Sequence, residues 1–310
     1  MAVSALRELA SGLLFPEGPV AMKDGSVVLV EIAGKRITRV DADGGVEVVA
    51  EPGGGPNGAA IGPDGKLYVC NNGAAFDYVP LQGMMFPVQP PSAHEGGRIE
   101  RVDLGSGEVE VLYTECDGRP LRGPNDIVFD ASGGFYFTDH GIREERTADR
   151  TGVFYATTDG SQIREVLFPL DAPNGVGLSP DGSRIYVAET YTASVWWWDI
   201  AGPGEPTAAE GLLPHGGTML ARLPGFQYLD SLGVDGDGNV CVATIGSGGI
   251  TSLSPEDGSV VEFVETGDLL TTNICFGGED LRTAYLTLSA SGRLVATEWP
   301  RPGLELAFNA

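Results

Sequence analysis

The sequence predicts an all-β chain, a six-bladed β-propeller of four-stranded antiparallel blades forming one domain over residues 1–310. Two observations lead to it. Six times a polar residue stands seven positions ahead of a turn position: Glu17 before Asp24-Gly25, Asn57 before Asp64-Gly65, Asn125 before Ser132-Gly133, Asn174 before Asp181-Gly182, Asp230 before Asp237-Gly238 and Asn273 before Asp280. An Asp-Gly pair between alternating apolar runs is a strong hairpin signal, so the fixed offset puts each polar residue at the same end of the same strand in six successive sheets. The composition agrees, because 46 Gly and 21 Pro in 310 residues fit many short strands joined by tight turns.

The units follow in order. The first opens at Glu17 and continues through Val27–Ile32, Arg36–Asp41 and Val46–Ala50. The second opens at Asn57, has a strand at Leu67–Cys70 and resumes at Gly97–Asp103 and Val109–Tyr113, interrupted by an insertion from Asn71 to Glu95. The third runs from Asn125 to about Phe168, with strands near Gly134–Thr138, Gly152–Thr157 and Arg164–Phe168. The fourth starts at Asn174 and includes Arg184–Ala188 and Ser194–Ile200; the fifth starts at Asp230, with Val240–Thr244, Gly249–Leu253 and Val260–Val264. The sixth, from Asn273 through Thr283–Leu288 and Gly292–Trp299, is one strand short. Ser4–Ala10 is expected to supply that strand and close the ring, which also removes an unpaired sheet edge. No unit can bury both sheet faces alone, so neighbours must stack radially. A two-domain β-sandwich would explain the strand count but not the constant offset.

The bulk numbers narrow the function. A formal charge of −24, from 43 acidic and 19 basic residues, repels nucleic acid and anionic lipid, whose binding needs clustered Lys and Arg. The apolar runs are far too short for a membrane-spanning helix. Residues Met1 to Ala10 include Arg7 and Glu8 and lack the apolar region of a signal peptide, so a cytoplasmic location and a monomer or small homo-oligomer are expected. Cys70, Cys116, Cys241 and Cys275 show no CxxC pairing, and three of them lie inside apolar strand runs, which argues against a disulfide framework or a thiolate metal site. Alternation along Trp196-Trp197-Trp198 points two rings between blades and leaves the third more exposed.

In a propeller the innermost strand of each blade lines the central channel, so the six register residues converge at one of its mouths. Glu17, Asn125, Asn174 and Asp230 then present two carboxylates and two amide carbonyls. Hard oxygen donors without Cys or His suit Ca²⁺ best, with Mg²⁺, Mn²⁺ or a substituted Zn²⁺ as alternatives. Taken singly, Pro56-Asn57-Gly58, Pro124-Asn125-Asp126 and Pro173-Asn174-Gly175 read equally well as turns between blades. A turn does not, however, demand Glu in one unit and Asp in another at the same register. Glu17, inside Phe15-Pro16-Glu17-Gly18-Pro19, is the sharpest signal, since an acid buried at an apolar strand start needs a partner or a metal.

The segments Phe15–Pro19, Gly123–Asp130, Ala172–Asp181, Leu229–Asp237 and Asn273–Gly277 together resemble the SMP-30/gluconolactonase/luciferin-regenerating enzyme family and the related diisopropyl-fluorophosphatase and Drp35 lactonases. The resemblance implies a six-bladed propeller with one divalent metal at the channel mouth. It also implies Glu17, Asn174 and Asp230 as metal ligands, Asn125 as a ligand of metal or substrate, and Asp230 as the catalytic carboxylate. Gly123 stands where some sugar-lactonase members carry a substrate-contacting Arg, and the Asn71–Glu95 insertion is longer than in the shortest members; both point away from an aldonolactone.

The expected chemistry is hydrolysis of a small-molecule lactone or ester. The metal would polarise the carbonyl, and Asp230 would act as general base or nucleophile. His140 is the leading further contact for the substrate, with Asn57 and Asn273 beside it. Asn72, Glu189 and Ser289 are weaker candidates. Met84, Met85 and Phe86 in the insertion would form an apolar lid or cover a blade edge. Phosphotriester cleavage would use the same site. A metal-free strictosidine-synthase-like enzyme would tolerate Asp230→Asn, and an interaction propeller would be indifferent to chelation.

Overall fold

A computed structural model describes residues 5–209, 211 and 213–308. The first blade is Pro16–Ala21, Val27–Glu31, Arg36–Val40 and Val46–Ala50, and the second is Pro56–Ile61, Leu67–Asn71, Arg98–Val102 and Val109–Tyr113. The third is Pro124–Phe129, Phe135–Asp139, Thr151–Ala156 and Ile163–Leu170. In the fourth, Pro173–Leu178, Arg184–Glu189 and Ser194–Ile200 are flanked by an outer edge shared between Pro206–Thr207 and Thr218–Arg222. The fifth is Tyr228–Val234, Val240–Ile245, Gly249–Leu253 and Val260–Glu265. The sixth is Thr271–Gly277, Thr283–Leu288 and Arg293–Glu298, completed by Arg7–Ser11.

The closing strand thus falls where the sequence predicts it. It pairs antiparallel with the third strand of the sixth blade, Arg7 opposite Ala296 and Ser11 opposite Arg293. Ser4, the first residue of the predicted segment, lies outside the described residues. Each innermost strand packs against the next one round the ring, and the first packs against the sixth. The fold is a closed six-bladed propeller without helices among the described residues, so none is long and apolar enough to cross a membrane.

The turns that set the register have the expected backbone. Gly25, Gly65, Gly133, Gly182 and Gly238 all adopt positive φ, and in the sixth unit Leu281 takes the same left-handed conformation at φ 56°. That strained position is tied by Gly303, whose N–H donates to the Leu281 carbonyl at 2.8 Å. The blades are glued by side chains on facing sheets. Tyr68, Phe129, Phe135, Phe137 and Phe154 fill the gap between the second and third blades. Trp196 and Trp198 pack with Tyr136 and Val153 between the third and fourth, while half-buried Trp197 carries the Arg184 guanidinium 4.1 Å above its ring. Burying such large apolar side chains is worth about 1.5–3 kcal/mol each, and the radial arrangement makes every blade depend on its neighbours for it. All four cysteines are free.

Two features depart from the sequence reading. The insertion is not merely a loop: Asp77–Leu81 and Met84–Val88 form a hairpin around Gln82 and Gly83, both with positive φ. Its half-buried Met84, Met85 and Phe86 pack on the core at the first blade, and Met85 N–H donates to Ala290 of the sixth at 2.8 Å. An element of the second blade therefore reaches back across the junction of the first and sixth. In addition, residues 302–308 run across the channel end opposite the register residues. Leu304 N–H bonds the Val234 carbonyl at 3.0 Å, and Phe308 meets Phe129 edge-on at 5.8 Å. They border a cavity of about 320 Å³ lined chiefly by aliphatic channel residues such as Val176, Leu232 and Ile274.

Candidate metal centre

All six register residues lie on innermost strands, and a close backbone approach brings them together. A Cβ on Gly18 would sit 2.4 Å from the Asn57 carbonyl oxygen, one on Gly58 2.4 Å from that of Asn125, and one on Gly175 2.8 Å from that of Asp230. The glycine after each of these register residues thus lets the next register residue press against the strand. At the third blade the corresponding position is Asp126, which is buried. Its carboxylate accepts from the Ile127 N–H at 2.9 Å and the Val176 N–H at 3.3 Å, so it ties the third blade to the fourth. The sequence reading passed over Asp126, although the break from Pro-x-Gly to Pro-Asn-Asp was its signal.

Glu17, Asn125 and Asn174 are buried, and Asp230 is half-buried at the mouth. Glu17 Oε2 accepts from its neighbour Gly18 N–H and from Asn273 Nδ2 at 2.8 Å. Asn174 Nδ2 donates to Thr190 Oγ1 at 3.2 Å. The other oxygen in each case is unpaired: Glu17 Oε1, Asn125 Oδ1 and Asn174 Oδ1 are buried without a hydrogen-bond partner. Among the described residues only one other carboxyl or amide oxygen, Gln89 Oε1 of the insertion, shares that state. Burying an acceptor unsatisfied costs about 1–3 kcal/mol, so three at the same register of the innermost strands need an explanation.

The electrostatics are equally adverse. Burial pushes the Glu17 carboxyl well above its usual range, with the charges of Asp230 and Asp126 adding to the rise against the Asn273 hydrogen bond. Burial raises Asp230 to about 7, opposed by Asn174 and reinforced by Asp126. Asp126 is itself raised to about 7 by burial against its backbone donors. Among the described residues no positively charged group is a leading influence on any of the three. Among the described residues no three His, Cys, Asp or Glu side chains form a metal cluster; the donor set here is mixed, two carboxylates and two amides. Unpaired hard oxygens facing uncompensated negative charge match a divalent cation such as Ca²⁺.

The remaining predicted contacts separate. Asn273 is engaged at both ends, its Nδ2 on Glu17 and its Oδ1 accepting from Ile274 N–H at 2.7 Å. It orients an acid and keeps one N–H and one lone pair beyond these two bonds. Asn57 is buried on the second innermost strand. His140 is buried at the end of the second strand of its blade, against the rings of Phe76 and Tyr191; burial lowers its pKa to about 4, leaving a neutral imidazole. Glu189 accepts from Asp171 N–H, Thr192 and Trp196 Nε1, and Ser289 donates to the Pro16 carbonyl at 2.5 Å, so both hold the scaffold. Asn72 caps a turn through Ala75 N–H at 3.0 Å. The insertion brings Tyr78, packed on Phe15 at 4.8 Å, within range of the charges of Asp230 and Glu17.

The family profile described as SMP-30/Gluconolactonase/LRE-like region matches residues 15–290, from the strand of Glu17 to the end of the sixth blade's second strand. The chain belongs to this family. Among its relatives, the gluconolactonase of Zymomonas mobilis is 28% identical over 310 residues, covering 91% of this chain and 78% of the relative. The lactonase drp35 of Staphylococcus haemolyticus is 31% identical over 235 residues, covering 75% of this chain and 64% of the relative. A solved gluconolactonase from Xanthomonas campestris superposes with a TM-score of 0.75 at 22% identity, over 95% of this chain and 89% of that one. A luciferin-regenerating enzyme gives 0.74 at 14% identity, over 98% and 99%. At those identities the two structures speak for the fold.

Proposed function

We propose that this member of the SMP-30/gluconolactonase family is a divalent-metal-dependent hydrolase that opens a small-molecule lactone. The observation that carries the reading is the set of three buried, unpartnered oxygens on Glu17, Asn125 and Asn174 beside Asp230; the lactonases among its relatives support the reaction class. Glu17, Asn125, Asn174 and Asp230 would hold the ion. When bound, a divalent cation, in our reading Ca²⁺, supplies a Lewis acid for the substrate carbonyl.

The residues divide the remaining work. Asn273 fixes the Glu17 carboxylate, and Thr190 holds the Asn174 amide nitrogen while its oxygen stays unpaired. Asp230, at the mouth, would accept a proton from an attacking water whose acidity a bound cation raises. Water adds to the carbonyl carbon, the ring C–O bond breaks, and the leaving alkoxide takes a proton to give a hydroxy acid. His140 and Asn57 would contact the substrate at the wall, His140 as a neutral group.

The test is metal content measured together with turnover on a panel of γ- and δ-lactones, before and after EDTA and after Ca²⁺ is restored. The reading expects about one bound ion per chain, loss of activity on chelation and its recovery with the ion. Full activity after complete metal removal would overturn it.

A further inference from the structure

The wall of this mouth is made of rings. Phe76 meets His140 with centroids 5.6 Å apart, His140 meets Tyr191 at 5.7 Å, Tyr191 meets Tyr228 at 5.2 Å, and Tyr228 meets Phe226 at 5.3 Å. These spacings are those of favourable edge-to-face aromatic pairs. The five rings form one unbroken arc drawn from the second, third, fourth and fifth blades and, through Phe226, from the connection into the fifth.

Local geometry ties the arc to the metal-side mouth. Tyr228 precedes Asp230 by two positions on one strand, and both are half-buried there. Tyr191 follows Thr190, whose hydroxyl holds Asn174. His140 N–H donates to the Gly123 carbonyl at 2.8 Å, two residues before Asn125. The negative charge of Asp230 also reaches the Tyr191 hydroxyl.

Two further facts bear on what the arc accepts. Phe226, at its outer end, is 81% exposed, an apolar ring left in water beside the site. The charge of the nearby cation is taken up: the Arg143 guanidinium lies 3.7 Å over the Tyr191 ring and pairs with Asp171 at 2.5 Å, with its Nε buried without a partner. It braces the arc and is neutralised there. A polyhydroxylated ring would need a hydrogen-bonding group for each hydroxyl it desolvates, whereas these residues offer ring faces and edges with polar atoms only at their tips.

We infer that the ligand of this mouth carries a flat aromatic ring beside its reacting carbonyl, seated against Tyr191, Tyr228 and Phe226. The inference deepens the lactonase reading and rests on it for the word substrate, while the binding it describes can be measured without turnover.

The experiment compares kcat/KM for 3-isochromanone and δ-valerolactone, δ-lactones that both release a primary alcohol, with δ-gluconolactone as the hydroxylated control. Wild-type protein should favour 3-isochromanone over either by about 10-fold or more. In Phe226→Ala, whose exposed side chain makes misfolding no concern, the ratio of 3-isochromanone to δ-valerolactone should fall about 3- to 10-fold through KM. Tyr191→Leu should lower it further. Preference for δ-gluconolactone, or an equal loss on both lactones in the variants, would overturn the inference. Binding of isochroman, which has no carbonyl to attack, is followed in parallel by ligand-observed NMR. Saturable binding weakened by Phe226→Ala supports the inference even if no lactone is opened, in which case only the hydrolase reading fails. Calcium-dependent opening of aliphatic lactones without ring preference, and without isochroman binding, leaves that reading standing and sinks this one.

Discussion

Two sets of buried acids and amides crowd the same end of this propeller, and they meet opposite fates. At the ends of the second strands, Glu31 accepts from Leu14 N–H at 2.7 Å, Asn71 from Gly55 N–H at 2.8 Å, Asp139 from Gly123 N–H at 2.8 Å and Glu189 from Asp171 N–H at 2.8 Å. Each donor lies just before the innermost strand of its own blade, so each side chain pins that strand's start. On the innermost strands themselves, Glu17, Asn125 and Asn174 keep oxygens that nothing among the described residues satisfies. Residue type and burial are the same in both sets. The difference is whether the backbone meets the oxygen, and this separates scaffold from site.

The comparison is broken most severely by neutralising the inner set. Glu17→Gln and Asp230→Asn should each lower kcat on the best lactone by about 1,000-fold or more and reduce bound metal in elemental analysis, while the far-UV spectrum is kept. Activity within tenfold of wild type would place both residues with the scaffold.

Glu31→Gln, in the outer set, should do the reverse. Burial alone would raise Glu31, yet Arg36, Thr38 and the Leu14 N–H hold it below its usual value, and Arg36 Nε lies 2.7 Å from its Oε1. Losing the charge should cost about 3 kcal/mol of stability in urea unfolding. The metal content and kcat of the folded fraction should stay near wild type; a selective loss of metal would show the two sets to be one.

A smaller effect sharpens the contrast through pH. Asp230 rises from an ordinary 3.8 to about 7 in the folded chain, and Glu17 also rises. Such a carboxyl carries no penalty while protonated in both states. It destabilises the fold progressively as pH climbs from about 4 to about 7, and by a constant amount above that. The chelated protein should therefore lose a few degrees of Tm between pH 5 and pH 7.5 through these groups. Added Ca²⁺ should raise Tm more at pH 7.5 than at pH 5, by differential scanning fluorimetry. An equal increment at both values would mean that the ion is not bound by these carboxylates.

Much of this was legible in the chain. Turn chemistry is local, so Asp24-Gly25 and its counterparts announced the register, and with it the strand face of Glu17, Asn125, Asn174 and Asp230. The missing outer strand of the sixth blade announced the ring closure. The hairpin at 77–88 was hidden because Pro80 and Pro87 interrupt its strands and its turn residues, Gln82-Gly83, lack the usual Asn or Asp. Asp126 was hidden because an acid after Asn reads as one more turn residue until Val176 of the next blade is seen to bond it.

Periodicity and turn residues by themselves determined the number of blades, their strand faces and the end at which the polar residues gather, since each depends on neighbours a few positions apart. Only the tertiary structure decided which of those polar oxygens are left unpaired. Satisfaction depends on donors distant in the chain, within a blade as when Gly55 meets Asn71 or between blades as when Asn273 reaches Glu17 across 256 positions. It also decided that rings from four blades and a connection line one mouth, because that proximity exists only once the ring has closed.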